Sequence, residues 1–212
     1  MSNYFITFIN CFEQKLKEKL PGDSAQSKMA PVPQKVRDAF YLADPSPKKS
    51  AVLILFFPFE EGVGTLLIKR QSYKGVHSGQ ICFPGGKVDP DDVDLPATAL
   101  RETNEETGII AKDVMIIGKI SDLYIPASRF HVTSIVGYIN YFPEFIPNPR
   151  EVEKIIPVNL KSLSDEKIIS TREFTVGENL VINAPVYLLN EYVIWGATAM
   201  MIAELNEIVR EI

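Results

Sequence analysis

Histidine and cysteine are scarce: two of each in 212 residues, with a single tryptophan. Cys11 and Cys82 stand alone rather than in a paired ligand motif, which excludes a cysteine-based zinc site. Their count permits one disulfide, but reduced, partly buried thiols in a cytosolic protein are the expected state. With only His77 and His131, a mechanism that needs several histidines is hard to build, and carboxylates have to carry any metal chemistry. No apolar run is long enough to cross a bilayer, so no membrane partner is expected. The N-terminus lacks a basic segment followed by an apolar one, so no secretory signal is expected and a cytoplasmic location is. A basic excess is missing too: 22 Lys and Arg face 27 Asp and Glu, a net charge of −5. That argues against nucleic acid bound over a broad basic surface and leaves room only for a local basic patch.

What is present is an ordinary globular composition. Hydrophobic residues make up 46% and charged residues 23%, so the chain can bury a core and is not disordered. Its length fits one large domain, or one domain with an appendage. Phe5, Phe8, Ile9, Phe12, Leu16 and Leu20 form a stripe of period near 3.6, which predicts a helix from Tyr4 to Leu20 docked on the core. Pro21-Gly22 stops it. Five prolines between residues 21 and 50 predict an extended connection with a short helix near Val36 to Leu42. The expected division is therefore 1–49, a helix and connection, and 50–212, the main domain.

Strands are predicted at Ala51–Phe57 and Gly64–Arg70, joined by a hairpin at Glu60-Glu61-Gly62, and at Gln80–Phe83. Val114–Ile120, His131–Ile139 and Val152–Val158 read as further strands. Leu95–Thr107 reads as a helix closed by Gly108 in the left-handed position, and Ile194–Ile208 as a last helix. Helices and strands mix without strict alternation, which predicts an α/β or α+β sandwich.

The chemistry concentrates between Phe83 and Ile109. On a helix turning about 100° per residue, Glu102, Glu105 and Glu106 share an arc of roughly 100°. Three carboxylates on one face repel one another. Solvent can screen that repulsion, or a hard divalent cation such as Mg²⁺ or Mn²⁺ can turn it into binding. Arg101 lies four residues before Glu105, within ion-pair reach. Ahead of the helix, Gly85-Gly86 permits close backbone approach.

This arrangement resembles the Nudix box, G-x5-E-x7-R-E-U-x-E-E-x-G-U with U a bulky aliphatic, which Gly86, Arg101, Glu102, Glu105, Glu106, Gly108 and Ile109 match. The gap from Gly86 to Arg101 is one residue longer than the pattern. The early acid therefore falls on Asp92 counted from Gly86 and on Val93 counted back from Arg101. Thr103 replaces the bulky aliphatic. Leu66 to Arg70, Ser72 and Gly79 to Gly86 resemble the extra motif of the coenzyme A pyrophosphatase branch, with Gly75 where that motif has an arginine and Lys74 beside it. Pro126-Ala127-Ser128, Val132-Thr133, Asn148-Pro149, Glu151-Val152 and Ile194 to Ala199 are also similar to segments of that branch.

The resemblance implies a Nudix-type α/β/α sandwich with a mixed sheet, preceded here by an N-terminal helical extension. It implies Mg²⁺- or Mn²⁺-dependent hydrolysis of the pyrophosphate in coenzyme A or its acyl derivatives. Products would be 4′-phosphopantetheine, or its acyl form, and adenosine 3′,5′-bisphosphate. Glu102 and Glu106 would be the main metal ligands, with Glu105 assisting and the Gly86 carbonyl a further ligand. Glu151 is the catalytic acid expected from a separate loop, with Glu144 and Glu153 competing for that place. The base stays open between Glu102, Glu151 and metal-bound hydroxide. From Gly62 through Val88 the chain has no acid but carries Lys69, Arg70, Lys74 and Lys87. Lys69, Arg70 and Lys74, with Gly85 and Gly86, are the substrate-binding candidates, and the three cations are candidate readers of a 3′-phosphate. The rivals are another nucleoside diphosphate derivative, such as ADP-ribose or a dinucleotide, and a binding module without turnover.

Overall fold

The computed structural model describes residues 3–72, 77–176 and 180–212. The chain opens with α1 (Asn3–Lys15), α2 (Asp23–Gln26) and α3 (Gln34–Leu42). There follow β1 (Lys48–Phe59), β2 (Gly62–Arg70), β3 (Ile81–Cys82), β4 (Gly85–Lys87) and α4 (Leu95–Thr107). Next come β5 (Met115–Lys119), β6 (Leu123–Ile125), β7 (Phe130–Tyr138), β8 (Val152–Asn159) and α5 (Leu160–Leu163). The chain closes with β9 (Ile169–Val176), β10 (Leu180–Leu189), β11 (Tyr192–Trp195) and α6 (Gly196–Val209).

The main sheet runs β3-β2-β1-β7-β5, with β4 paired to β1, β6 to β7 and β8 to β2. It is mixed, because β1 pairs parallel with β7 but antiparallel with β2 and β4. The unbroken apolar run of β1 follows from burial on both faces. Ala51, Leu53, Leu55 and Phe57 join Leu66, Ala99 and Ile109 in the core under α4. Ile54 and Phe56 face the opposite core, shared with α1 and α6. Alternation at period two thus splits one strand between two helical layers, giving an α/β/α sandwich.

Residues before Ser50 pack into that second core. Phe12 is fully buried, its ring 5.0 Å from that of Phe56 in a T-shaped pair. Behind it, Glu204 of α6 is fully buried and accepts from the backbone amides of Gly22 and Ser121 and from Gln26 Nε2. Phe12→Ala is therefore expected to destabilise the whole fold by about 3–5 kcal/mol, measured by chemical denaturation. A loss below about 1 kcal/mol would mean that α1 contributes little packing.

Several sequence expectations are corrected. The first helix ends at Lys15 rather than Leu20, although Leu16 and Leu20 still pack on the core. The connection is less extended than expected: helical turns at Asp23–Gln26 and Ser27–Met29 precede α3, which contains the short helix expected at Val36 to Leu42 and has Pro33 at its N-cap. The last helix starts at Gly196, because residues before it pair Tyr192–Trp195 with Val186–Leu189. A whole three-stranded antiparallel sheet, β11-β10-β9, had no counterpart in the sequence reading.

Candidate active site

The site is built where α4 packs against β1 and β4. Asp94 caps α4 by accepting from the Ala97 amide at 2.8 Å, and Pro96 sits in the first turn. Gly108 ends the helix at φ 75°, as the sequence predicted. Between these ends Glu102 and Glu106, one turn apart, come under the Gly85-Gly86 strand.

Both glycines are required by proximity. The Gly85 amide donates to Glu106 Oε2 at 2.9 Å. Gly85 has φ 148°, and a Cβ there would press into the Ala51 carbonyl and Val52. A Cβ on Gly86 would fall within the Glu102 carboxylate itself.

The carboxylates are held at unequal depth. Glu106 is 1% exposed, and burial pushes its carboxyl up to about 8, with Glu102 and Glu151 adding repulsion. The Gly85 N–H and Arg70, whose Nη1 stands 3.6 Å from Glu106 Oε1, oppose the rise. Burial also raises Glu102, against its 2.8 Å bond from Arg101 Nη1. Glu105 has a side chain 51% exposed, with Arg101 Nη1 at 3.6 Å.

Arg101 is itself clamped. Its Nε and Nη2 donate to the two oxygens of Asp92 at 2.8 and 2.9 Å, and Nη2 also reaches the Lys87 carbonyl at 3.2 Å. Asp92 further accepts from Thr98 Oγ1 and the Asp89 amide. The Arg101 bonds hold Asp92 well below the usual carboxylate range. Val93, the other position for the early acid, is 89% exposed. The bidentate fork explains why an acid belongs at 92: it orients the arginine that orients Glu102. Thr103, buried on the core face of α4, donates to the Ala99 carbonyl at 2.7 Å.

Glu151 arrives from the loop after β7. The Asn148 amide donates to the Glu106 carbonyl at 3.1 Å, and the Gln71 amide to the Glu151 carbonyl at 2.8 Å. These bonds place Glu151 in the same cleft as Glu102 and Glu106.

That cleft has a volume of about 930 Å³. Arg70, Gly85, Gly86, Lys87, Glu102, Glu106 and Glu151 line its polar part, and Phe40, Leu123, Trp195, Met200 and Met201 its apolar part. Glu105 and Lys69 do not line it; Lys69 pairs with Glu153 at 2.5 Å, beside an irregularity in the β2–β8 register. Lys74 and its neighbour Gly75 lie outside the described residues. Trp195 stacks face to face on Phe174 at 4.0 Å between ring centres. His77 hydrogen-bonds Gln80, and His131 lies against the Tyr41 ring. Sequence reasoning missed Phe40 and Lys48 as cleft residues; neither carries a local spacing signal.

Among the described residues no three His, Cys, Asp or Glu side chains already converge on one point. The donor set nevertheless suits a hard divalent cation. Two one-turn carboxylates, both raised by burial and by the charge of neighbouring carboxylates, stand against the Gly85-Gly86 strand.

Cys82, on β3 beside Glu106, has its thiol pushed up to about 12 by burial, with Glu106 adding and Arg70 opposing. Both cysteines are free, and Cys11 is exposed. Native protein at pH 8 should therefore take up iodoacetamide at Cys11 alone. Mass spectrometry of digests checks this; equal labelling of Cys82 would contradict the environment described.

Known proteins resemble this chain in sequence and in fold. Residues 47–178 match the NUDIX domain. A Yersinia pestis (strain Pestoides F) protein named "Uncharacterized Nudix hydrolase NudL" is 35% identical over 208 residues, covering 96% of this chain and 94% of its own. A solved MutT/nudix family protein from Enterococcus faecalis superposes with a TM-score of 0.53 at 15% identity, over 84% of this chain and 70% of that one. A Caenorhabditis elegans Ap4A hydrolase in binary complex reaches 0.47 at 23% identity, over 54% of this chain and 81% of its own.

Proposed function

We propose that this chain, which belongs to the Nudix hydrolase family and is a pyrophosphohydrolase of nucleoside diphosphate derivatives, acts on coenzyme A or acyl-coenzyme A. The observation that carries the reading is the juxtaposition of Glu102 and Glu106 with the Gly85-Gly86 strand in one large cleft. The coenzyme A branch is supported by the resemblance from Leu66 through Gly86 and by the cleft itself. Beyond its carboxylates the cleft continues along Phe40, Leu123, Trp195 and Met200, an apolar wall of the kind that a pantetheine arm or acyl chain needs.

In this reading Glu102, Glu106 and the Gly86 carbonyl hold Mg²⁺ or Mn²⁺, and Glu105 assists from the solvent side of the same helix. A bound divalent cation polarises phosphoryl oxygens and lowers the pKa of a coordinated water. The chain's own groups do the rest. Arg70 meets negative charge on the pyrophosphate, and Gly85-Gly86 lets the backbone approach it. Arg101, clamped by Asp92, fixes the orientation of Glu102. Glu151, which lines the same cleft as Glu106, takes a proton from the attacking water, with Glu102 the alternative acceptor. Lys69, tied to Glu153, has no part in the cleft.

The test is a panel of coenzyme A, acetyl-coenzyme A, ADP-ribose and diadenosine tetraphosphate at one Mg²⁺ concentration, with products identified by mass. The expected products are 4′-phosphopantetheine, or its acyl form, and adenosine 3′,5′-bisphosphate, with no turnover in excess EDTA. A clear preference for ADP-ribose would overturn the coenzyme A reading and leave the family activity intact.

A further inference from the structure

Coenzyme A carries a phosphate monoester on its ribose besides the pyrophosphate, and the cations first considered for it are engaged or outside the described residues. Lys69 pairs with Glu153, and Arg70 faces Glu106. The cleft offers a different basic end. Lys48, Ser50 and Val52 alternate along β1 and line it together. Lys48 has no carboxylate within ion-pair distance among the described residues, and its ammonium stands 5.6 Å from the Phe130 ring centre. Its amide donates to the Arg129 carbonyl at 2.8 Å, which joins the start of β1 to the turn Pro126-Ala127-Ser128-Arg129.

That turn also lines the cleft, and it is strained. Arg129 has φ 59°, unusual for a residue with a side chain. The turn is pinned from outside: Asp44 takes the Arg129 guanidinium through both oxygens and accepts from Tyr124 OH at 2.9 Å. Within it, Ser128 Oγ is buried with no hydrogen-bond partner among the described residues. A buried hydroxyl left unmatched is costly, and a ligand oxygen is one way to match it.

Position along β1 gives the scale. Gly86, at the carboxylate centre, pairs with Ala51. Lys48 lies three residues earlier, about 10 Å along the strand. The two phosphates on one ribose lie closer together than that, and the flexible four-carbon stem of Lys48 has the reach to cover the difference.

We infer that Lys48 and Ser128 form a second phosphate subsite, which takes the ribose phosphate monoester of the substrate while its pyrophosphate lies at the carboxylate centre. The inference rests on the coenzyme A reading for the identity of the substrate, but the subsite is testable without turnover. Arg129, committed to Asp44, is a positioning residue that holds Ser128 in place.

Calorimetry compares adenosine 3′,5′-bisphosphate with adenosine 5′-monophosphate on the full chain in the presence of Mg²⁺. The bisphosphate should bind tighter by about tenfold or more, as expected for one charge-assisted contact. Lys48→Met should bring that ratio close to one, and Ser128→Ala should lower it by about threefold. The same change should appear in the kcat/KM ratio of coenzyme A to dephospho-coenzyme A. Equal affinities for the two nucleotides in the wild type overturn the subsite, whatever the enzyme hydrolyses. So does a Lys48→Met variant that weakens both nucleotides alike and keeps the ratio, since that is a structural effect. A bisphosphate preference that depends on Lys48, combined with no hydrolysis of coenzyme A, upholds the subsite and overturns the substrate reading instead.

Discussion

Glu106→Gln is expected to fold as the wild type does and to lose turnover by about a hundredfold or more. Glutamine keeps the size of the side chain and an oxygen that can still accept from the Gly85 amide, the 2.9 Å bond that seats β4 on α4. What goes is the charge. At 1% exposure, burial disfavours the ionised carboxyl by more than the Gly85 N–H and Arg70 favour it, so removing the charge should not lower the melting temperature of the metal-free protein. The difference should appear on adding Mg²⁺. A ligand that binds only the folded state stabilises it by about 2.7 kcal/mol at a hundred times its Kd. Wild-type protein should therefore melt higher as Mg²⁺ is raised, and the variant should lose most of that shift. Thermal unfolding across a Mg²⁺ series, beside steady-state kinetics, reads both effects. A folded variant with full activity, or with the wild-type Mg²⁺ shift, would remove Glu106 from the metal site.

The helix that carries this residue was legible because its signals are local. Period, acidic spacing and the Gly108 stop all lie within α4, and the predicted limits Leu95–Thr107 are those observed. The run Ala51–Phe57 was legible for the same reason, but β1 reaches back to Lys48 because polar residues there pair with Phe130–Val132. That pairing is set by β7, far along the chain, and nothing near Lys48 announces it. In residues 21–50 the short helix expected near Val36 to Leu42 is there as α3, and what the proline count hid are the helical turns at Asp23–Gln26 and Ser27–Met29. In the second sheet, Ile182, Ala184 and Val186 do face inward at period two along β10. The turn that returns β10 to β11 uses Asn190 at φ 51°, without the glycine that marks most tight hairpins.

The candidate site divides along the same line. Helical spacing groups Glu102, Glu105 and Glu106 on one face, and the choice of Glu102 and Glu106 among them comes from the resemblance to the Nudix box. Lys69 and Arg70 look equivalent as a basic pair, yet consecutive strand residues face opposite ways, and only Arg70 lines the cleft. Asp92 was ambiguous by counting and becomes definite only through its two bonds to Arg101. Lys48, Ser128 and Trp195 line one cleft from three separate parts of the chain, which spacing does not encode.

Gly86→Ala should be nearly as damaging to catalysis as Glu106→Gln, by a different route. The backbone at 86 is not in the left-handed region, so alanine meets no conformational penalty of its own. Its methyl group would instead occupy the space of the Glu102 carboxylate. Glu102 cannot simply swing aside, because Arg101 holds it at 2.8 Å and Asp92 holds Arg101 with two further bonds. Displacing a catalytic carboxylate by about 1 Å costs roughly a hundredfold in rate, so kcat should fall by about that factor in a protein that still folds. Gly62→Ala is the control: a Cβ there meets Asn159 only at ordinary contact distance, 3.5 Å, and rate and stability should stay near wild type. The decisive comparison is a double-mutant cycle. If alanine at 86 acts by moving Glu102, then Gly86→Ala combined with Glu102→Gln should be little slower than Glu102→Gln alone. Losses that simply multiply would mean that Gly86 serves the reaction independently of that glutamate, and a fully active Gly86→Ala would mean that the contact between them has no catalytic weight.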